Sequence, residues 1–280
     1  MIAINNRYIY LFYIDMKPRI AKLALMLVAT LFVAESALAW GGVGHAIIGY
    51  KAEEILSEEI KEKCYHYLGA SITFHSSWMD QARSIEPYAV CDKWHSTNID
   101  ANYKVVVGSP TTGAYHIERI RKEMMNGGYK TMSDSLVKIN LQYLIHMIGD
   151  HHCPVHVRWD AKEHPELVYN LRGKGKPFRW HAFWDSAYSR KRKGWNCEDF
   201  AEHLGFLPKG KVKKLQKGTG YDWTQETADV SRYCCEVLPK DTEITTLSDE
   251  KIAAVHQIVD KQLLYAAYRL AGVLTEIFKE

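Results

Sequence analysis

Cysteine and proline are scarce in this chain, at six and eight of 280 residues, and neither is arranged so as to define a fold. No C-x-x-C pair occurs, which argues against a metal site built on cysteines. No N-x-S/T acceptor occurs either, so N-glycosylation is not implied. A Pro/Ser-rich linker, a low-complexity tract and an internal repeat are all missing. Period-two alternation is confined to short pieces such as 103–107, so strands are expected to be few. An excess of one charge is also lacking: 36 Lys+Arg face 33 Asp+Glu, a formal +3, which excludes a polycation or a polyanion. What is there is apolar, 47% of the chain, enough for a substantial core and incompatible with a disordered chain.

The first forty residues read as an address. From Met16 the chain has a basic start (Lys17, Arg19, Lys22), an apolar run from Leu23 to Ala34, then Ala37-Leu38-Ala39. That order is a secretory signal peptide with an A-x-A cleavage site, and the run is short for a membrane span. Residues 1–39 are therefore expected to be removed after Ala39, with 40–280 as the working domain. Subtracting 39 from 280 leaves 241 residues, and four basic and two acidic residues leave with the leader, giving 32 against 31. An exported product, periplasmic or secreted, is expected, without stable membrane association once the leader is gone. The even set Cys64, Cys91, Cys153, Cys197, Cys234 and Cys235 then suggests disulfides, with pairing left open.

The remainder reads as helical. Ile47, Ile48, Ala52, Ile55, Leu56, Ile60, Cys64 and Leu68 recur at three-to-four spacing and predict an amphipathic helix over 44–68. A second fits 115–127, ending at Gly127-Gly128. A third begins near Ser133 or Asp134 and carries Leu136, Val137, Leu141, Leu144, Ile145 and Ile148. The tail from Asp249 to Phe278 is apolar along one side. One all-α domain of packed helices is the economical reading.

Against this ordinary background stand 13 histidines, and histidine is the commonest metal ligand. The segment H-M-I-G-D-H-H-C-P-V-H places His146 and Asp150 four apart on one helical face, with Pro154 expected to end the helix and His156 on the turn beyond it. W-H-A-F-W-D supplies a second such pair, His181 and Asp185. S-S-W-M-D ends at Asp80, and K-W-H-S-T-N-I-D carries His95. At the expected cleavage point W-G-G-V-G-H places His45 five residues after Trp40. A freed α-amine has a low enough pKa, about 7.7–8, to lose its proton to a divalent ion, and with its own carbonyl it can chelate.

This ordered set, Trp40, His45, Asp80, His95, His146, Asp150, His156, His181 and Asp185, resembles that of the zinc-dependent, single-strand-specific nuclease family (nuclease S-one/P-one type). The likeness runs from Trp40 to the last helix, where Q-L-L-Y-A-A-Y-R-L-A-G-V-L is similar to the family's closing helix. It implies an all-α fold around a trinuclear zinc cluster. One Zn²⁺ would take Asp80, His95, His146 and Asp150. The next would take the Trp40 amine and carbonyl, His45 and a shared Asp150, and the third His156, His181 and Asp185. The activity implied is hydrolysis of single-stranded DNA or RNA to 5′-phosphate products, with 3′-nucleotidase activity as a companion. The attacking water would be activated at the Asp150-bridged pair, and Asp80 would orient it or take its proton. Three Zn²⁺ and three aspartates leave +3 at the cluster, which suits an anionic substrate.

The chain also departs from the family pattern. Ser96 follows His95 where an aromatic that stacks on a base is frequent. Asn98 stands where the fungal enzymes have a carboxylate touching the base. Arg179 stands two before His181 where Asn is common, and guanidinium is a bidentate phosphate ligand. Asn98 and Arg179 are therefore the candidate substrate contacts. Between Arg172 and Lys217 thirteen Lys+Arg face four acids, a stretch able to steer a polyanion or simply to stay solvated. His66, His75, His116, His164, His203 and His256 match no ligand position, and His151, His152 and Cys153 take non-ligand places inside the motif. Zinc phospholipase C shares the cluster plan but has Glu in place of Asp185 and a longer gap before its first His. A non-catalytic zinc protein is the remaining alternative. A monomer acting on a nucleic acid or nucleotide is the expectation.

Overall fold

The computed structural model describes residues 40–279, so the expected signal peptide lies outside the described residues. Eleven α-helices and four short strands make up the described chain: α1 Gly41–Ile55, α2 Glu58–Leu68, α3 Ile72–His75, α4 Trp78–Ala82, α5 Gly113–Met124, α6 Asp134–Asp150, α7 Trp180–Asp185, α8 Cys197–Leu204, α9 Lys209–Leu215, α10 Gly220–Val237 and α11 Asp249–Phe278, with strands β1 Thr97–Asn98, β2 Val157–Arg158, β3 Asn170–Gly173 and β4 Lys176–Arg179. A 3₁₀ segment, Tyr88–His95, precedes β1. None of the described helices is long and apolar enough to cross a membrane. The all-α expectation holds.

Helix starts follow serine. Ser57, Ser71, Ser133 and Ser248 each accept a backbone N–H from three residues on, capping α2, α3, α6 and α11. Thr219 and Asn196 do the same for α10 and α8, and their own backbone N–H groups donate in return to the carboxylates of Asp222 and Asp199, the capping-box arrangement. The Ser57 cap explains one difference from expectation. The single helix predicted over 44–68 is two, because Leu56 is extended and Ser57 restarts the chain as a new helix. The apolar periodicity survives the break, so the pattern alone hides it. The 103–107 piece forms no strand; it contributes one bridge, between Ile99 and Val105.

Helix α6 is the strut of the core. From Asn140 to Asp150 every residue is buried, and α1, α2, α3, α4, α5 and α11 all pack on it. From Asn140 on the helix has no solvent side, which is why that part of its sequence is apolar nearly all round; its first turn, Asp134–Leu136, is exposed. It ends at Asp150, four residues before Pro154. The ends of its carbonyl ladder are met by side chains: His151 Nδ1 donates to Met147 O at 2.8 Å and His152 Nδ1 to Ile148 O at 2.6 Å. Their opposite nitrogens then accept, from Thr97 Oγ1 at 2.8 Å and from Arg269 Nη1 at 2.9 Å. These two histidines are thus neutral helix caps. His75, His116 and His164 are likewise tied to backbone carbonyls, of Leu68, Pro110 and Asp100.

The expected disulfides do not form: all six cysteines are free thiols. They sit on separate elements, Cys64 on α2, Cys91 in the 3₁₀ segment, Cys153 beyond α6 and Cys197 on α8. Cys234 and Cys235, adjacent on α10, point in directions about 100° apart on the helix.

Candidate metal centre

Five segments bring the predicted residues together. Helix α1 presents His45, α4 presents Asp80, the 3₁₀ segment ends on His95, α6 carries His146 and Asp150, and α7 carries His181 and Asp185. The parallel pair β1–β2 fastens two of these segments to each other, with Thr97 opposite Val157 and Asn98 opposite Arg158. Thr97 N donates to His156 O at 3.1 Å, so His95 and His156 are held side by side. Trp40 Nε1 donates to Gly149 O at 2.9 Å, which seats the buried Trp40 against the end of α6.

Asp150 lies at the centre. Its Oδ1 is 3.2 Å from His45 Nε2 and 3.5 Å from His156 Nδ1, and its Oδ2 is 2.9 Å from His95 Nδ1 and 3.4 Å from His146 Nε2. Asp80 Oδ1 lies 3.8 Å from His146 Nε2 and 4.0 Å from His95 Nδ1. His181 Nε2 is 3.2 Å from Asp185 Oδ2. The His45 and His146 rings stack at 3.9 Å. All nine sequence-predicted residues are buried except His181, whose side chain is 37% exposed.

Such crowding of polar groups normally ends in hydrogen bonds. Here it does so only in part, as where His95 Nδ1 meets Asp150 Oδ2 at 2.9 Å. Among the described residues twelve buried side-chain nitrogens and oxygens have no hydrogen-bond partner, and eight of them belong to this set: both nitrogens of His45, both oxygens of Asp80, His95 Nε2, Asp150 Oδ1, His156 Nε2 and Asp185 Oδ2. Orphaned buried acceptors cost about 1–3 kcal/mol each unless something else meets them. A cation does so, since imidazole nitrogens and carboxylates are the donors that zinc takes. The orientation of the rings agrees. His146 Nδ1 donates to Ser76 O at 2.8 Å, and His156 Nδ1 donates to the carbonyl of His95. Each leaves its Nε2 as an acceptor, as in histidines that bind metals: that of His156 has no partner, and that of His146 meets His95 Nδ1 at 3.2 Å.

Three groups of side chains have donor atoms close enough to hold one ion each: His45, His146 and Asp150; Asp80, His95 and His146; and Cys153, His156 and Asp185. The last contains a residue that sequence reasoning set aside. Cys153 lies three residues before His156 inside the motif, and that spacing was the available signal.

Titration follows the same geometry. Burial pushes Asp80 up to about 6, with Asp150 adding to the effect and His45 and His95 opposing it. Burial takes His156 down to about 3 and His146 well below its ordinary value, the latter helped by His45. Burial opposes charge on His95 as well, but its contact with Asp150 prevails and holds it up at about 9. Burial would raise Asp150, yet the surrounding imidazoles hold it well below the carboxylate range. The centre therefore keeps Asp150 ionised and His146 and His156 neutral, the states that ligation needs, while, against burial, Asp150 favours the protonated forms of His95 and His45.

The remaining candidates are less buried. Asn98 is half-buried on β1 and Arg179 is exposed at the end of β4, immediately before α7. The basic stretch is partly neutralised: Arg192 forms a bidentate pair with Asp260 at 2.6 and 2.7 Å, Lys191 pairs with Asp249, and Arg172 lies 3.7 Å from Asp241. Its distal part, α9, lines a cavity of about 900 Å³ that includes none of the nine residues.

A helical scaffold closed around a buried His/Asp constellation that leaves its donor atoms bare defines a protein built to hold metal ions. The S1/P1 Nuclease family model matches residues 40–279, and the chain belongs to that family: it is a hydrolase, a nuclease. Nuclease S1 of Aspergillus oryzae (strain ATCC 42149 / RIB 40) is 23% identical over 282 aligned residues, covering 88% of this chain and 94% of that protein.

Proposed function

We propose that the chain from Trp40 onward is an exported, zinc-dependent phosphodiesterase that cuts single-stranded DNA and RNA to 5′-phosphate products and also acts on 3′-nucleotides. The observation that carries this reading is the set of eight orphaned donor atoms on six buried residues, which three divalent cations would satisfy. Asp80, His95, His146 and Asp150 would hold one Zn²⁺. The Trp40 amine and carbonyl, His45 and Asp150 would hold the second, and His156, His181 and Asp185 the third. Bound zinc supplies a water of lowered pKa and polarises a phosphoryl oxygen.

The chain's own residues do the rest. Asp150 ties the first two ligand sets into one unit through its two oxygens. Asp80, a ligand of the first ion, would orient the attacking water and take its proton. Arg179 lies six residues before Asp185 at the open side of the site and would clamp a substrate phosphate. Asn98 would meet a base. Stacked bases and a stiff duplex backbone cannot enter a recess this deep, which favours flexible single strands.

The test is metal analysis of the chain beginning at Trp40, with digestion of denatured DNA, RNA, duplex DNA and phosphatidylcholine vesicles in parallel. Three zinc ions per chain and preferential single-strand cleavage are expected. Lipid hydrolysis without nucleic-acid hydrolysis, or full metal loading without either, would overturn the reading.

A further inference from the structure

The turn between Asp150 and His156 carries a side chain that the nine expected ligands leave out. Cys153 N donates to Asp150 O at 2.8 Å and His156 N donates to Cys153 O at 3.0 Å. This tight turn directs Cys153 and His156 to the same side. The sulfur is fully buried and lies 3.9 Å from Asp185 Oδ1. The sulfur, a ring nitrogen of His156 and a carboxylate oxygen of Asp185 all fall within 4.8 Å of one another. His156 Nε2 and Asp185 Oδ2 have no hydrogen-bond partner, and the two residues are only 4% and 6% exposed.

A thiol is a weak donor and a weak acceptor, so it cannot satisfy two bare donor atoms by hydrogen bonding. Its presence among them is poor packing chemistry and good ligand chemistry. The thiolate is the form that binds metal, and a cation held by His156 and Asp185 favours it.

Resting on the metal centre proposed above, we infer that Cys153 is a fourth protein ligand of the third metal, its thiolate joining His156, His181 and Asp185. On binding, the S–H bond breaks, the proton leaves to solvent, and a sulfur lone pair becomes the bond to the metal; no electron is transferred. Two imidazoles, a carboxylate and a thiolate fill a tetrahedral zinc sphere. A site closed in this way holds the α6–α7 junction together and leaves substrate oxygens to the other two metals. The thiolate also removes one positive charge, so the cluster carries +2 in place of +3.

Zinc-edge X-ray absorption of the loaded wild-type chain beginning at Trp40 should show a sulfur shell at about 2.3 Å, with a weight of about one sulfur per three zinc ions. Cobalt loading should give a sulfur-to-cobalt charge-transfer band in the near ultraviolet. Cys153→Ser should lose both signals. Cys91→Ser should keep them, although the Cys91 thiol lies beside His95. If Cys153→Ser fails to fold, a wild-type sulfur shell retained in Cys91→Ser still supports the assignment. Full metal loading with no sulfur shell overturns the inference and leaves the metal centre standing, as does a shell kept in Cys153→Ser. A wild-type chain that holds no metal overturns both.

Discussion

His45 Nε2 and Asp150 Oδ1 lie 3.2 Å apart, yet neither atom makes a hydrogen bond. Two complementary groups this close in a dry interior would pair if nothing lay between them in the working protein, and their misalignment fits two lone pairs converging on one ion. Replacing Asp150 with Asn keeps the shape and removes the charge. Asp150→Asn should lose two of the three zinc ions and lower nuclease activity by about 100-fold or more. Metal analysis beside a denatured-DNA assay checks it, and unchanged metal content would refute the bridging role.

Gly149 is the residue that lets His45 approach. A Cβ there would lie 2.8 Å from His45 Nδ1 and 3.0 Å from its Cε1. Gly149→Ala should therefore displace the imidazole, reduce zinc by about one ion and cost about 1–3 kcal/mol of stability through overpacking. Metal content and urea unfolding measured together read the two effects, and full zinc retention would show that His45 is not a ligand.

The backbone amine of Trp40 is a ligand in the proposed scheme only when no residue precedes it, because an amide nitrogen has no free lone pair. A chain extended by one methionine or a tag should bind one zinc fewer and lose activity by about 100-fold. Equal activity of extended and processed forms would remove Trp40 from the centre.

Arg179 is exposed and stands two residues before His181. Arg179→Ala should raise KM for single-stranded DNA by roughly 10-fold, in line with one lost charge-assisted contact, and leave zinc content unchanged. A KM that does not move would make this a solvated loop arginine.

Asp260 joins α11 to the segment after α7. Burial works against its charge, but the bonds from Arg192 and His203 hold its carboxyl below the ordinary range. A depressed carboxyl contributes stability that is complete above the unfolded value near 3.9 and is lost as pH falls further through the folded value. Asp260→Asn should cost about 1.5–3 kcal/mol at pH 7, with the difference from wild type shrinking below about pH 4. Denaturant unfolding at pH 7 and pH 3 tests it; a constant difference would place the effect outside the carboxylate.

The helices were legible because their signals are local. Ser133, Ser248 and the apolar spacing of α6 and α11 act within a few residues, and the tail helix runs over the expected Asp249–Phe278. The break at Leu56–Ser57 was not legible, since an apolar stripe continues across both α1 and α2. The nine candidate residues stand out because His146–Asp150 and His181–Asp185 sit at helical spacing and the order of the whole set along the chain resembles the family's. The roles of His151 and His152 could not, because a cap is defined by the carbonyl it faces. Cys153 escaped for a related reason: only the turn after α6 shows that its sulfur faces Asp185. The basic stretch misled in part, because Asp249 and Asp260, which neutralise Lys191 and Arg192, lie more than fifty residues further along the chain.

From Asn140 to Asp150 helix α6 has no outer face, and it supplies His146 and Asp150 from within the middle of the core. Chemistry and architecture are therefore inherited together: a substitution that alters the reactive centre also disturbs six neighbouring helices. New preferences for base, sugar or strand must arise where the chain is free to change, at the β1–β2 edge beside His95 and along the β3–β4 hairpin leading into α7. Divergence within such a scaffold is confined to its margin, and a transplanted centre would have to bring its whole interior along.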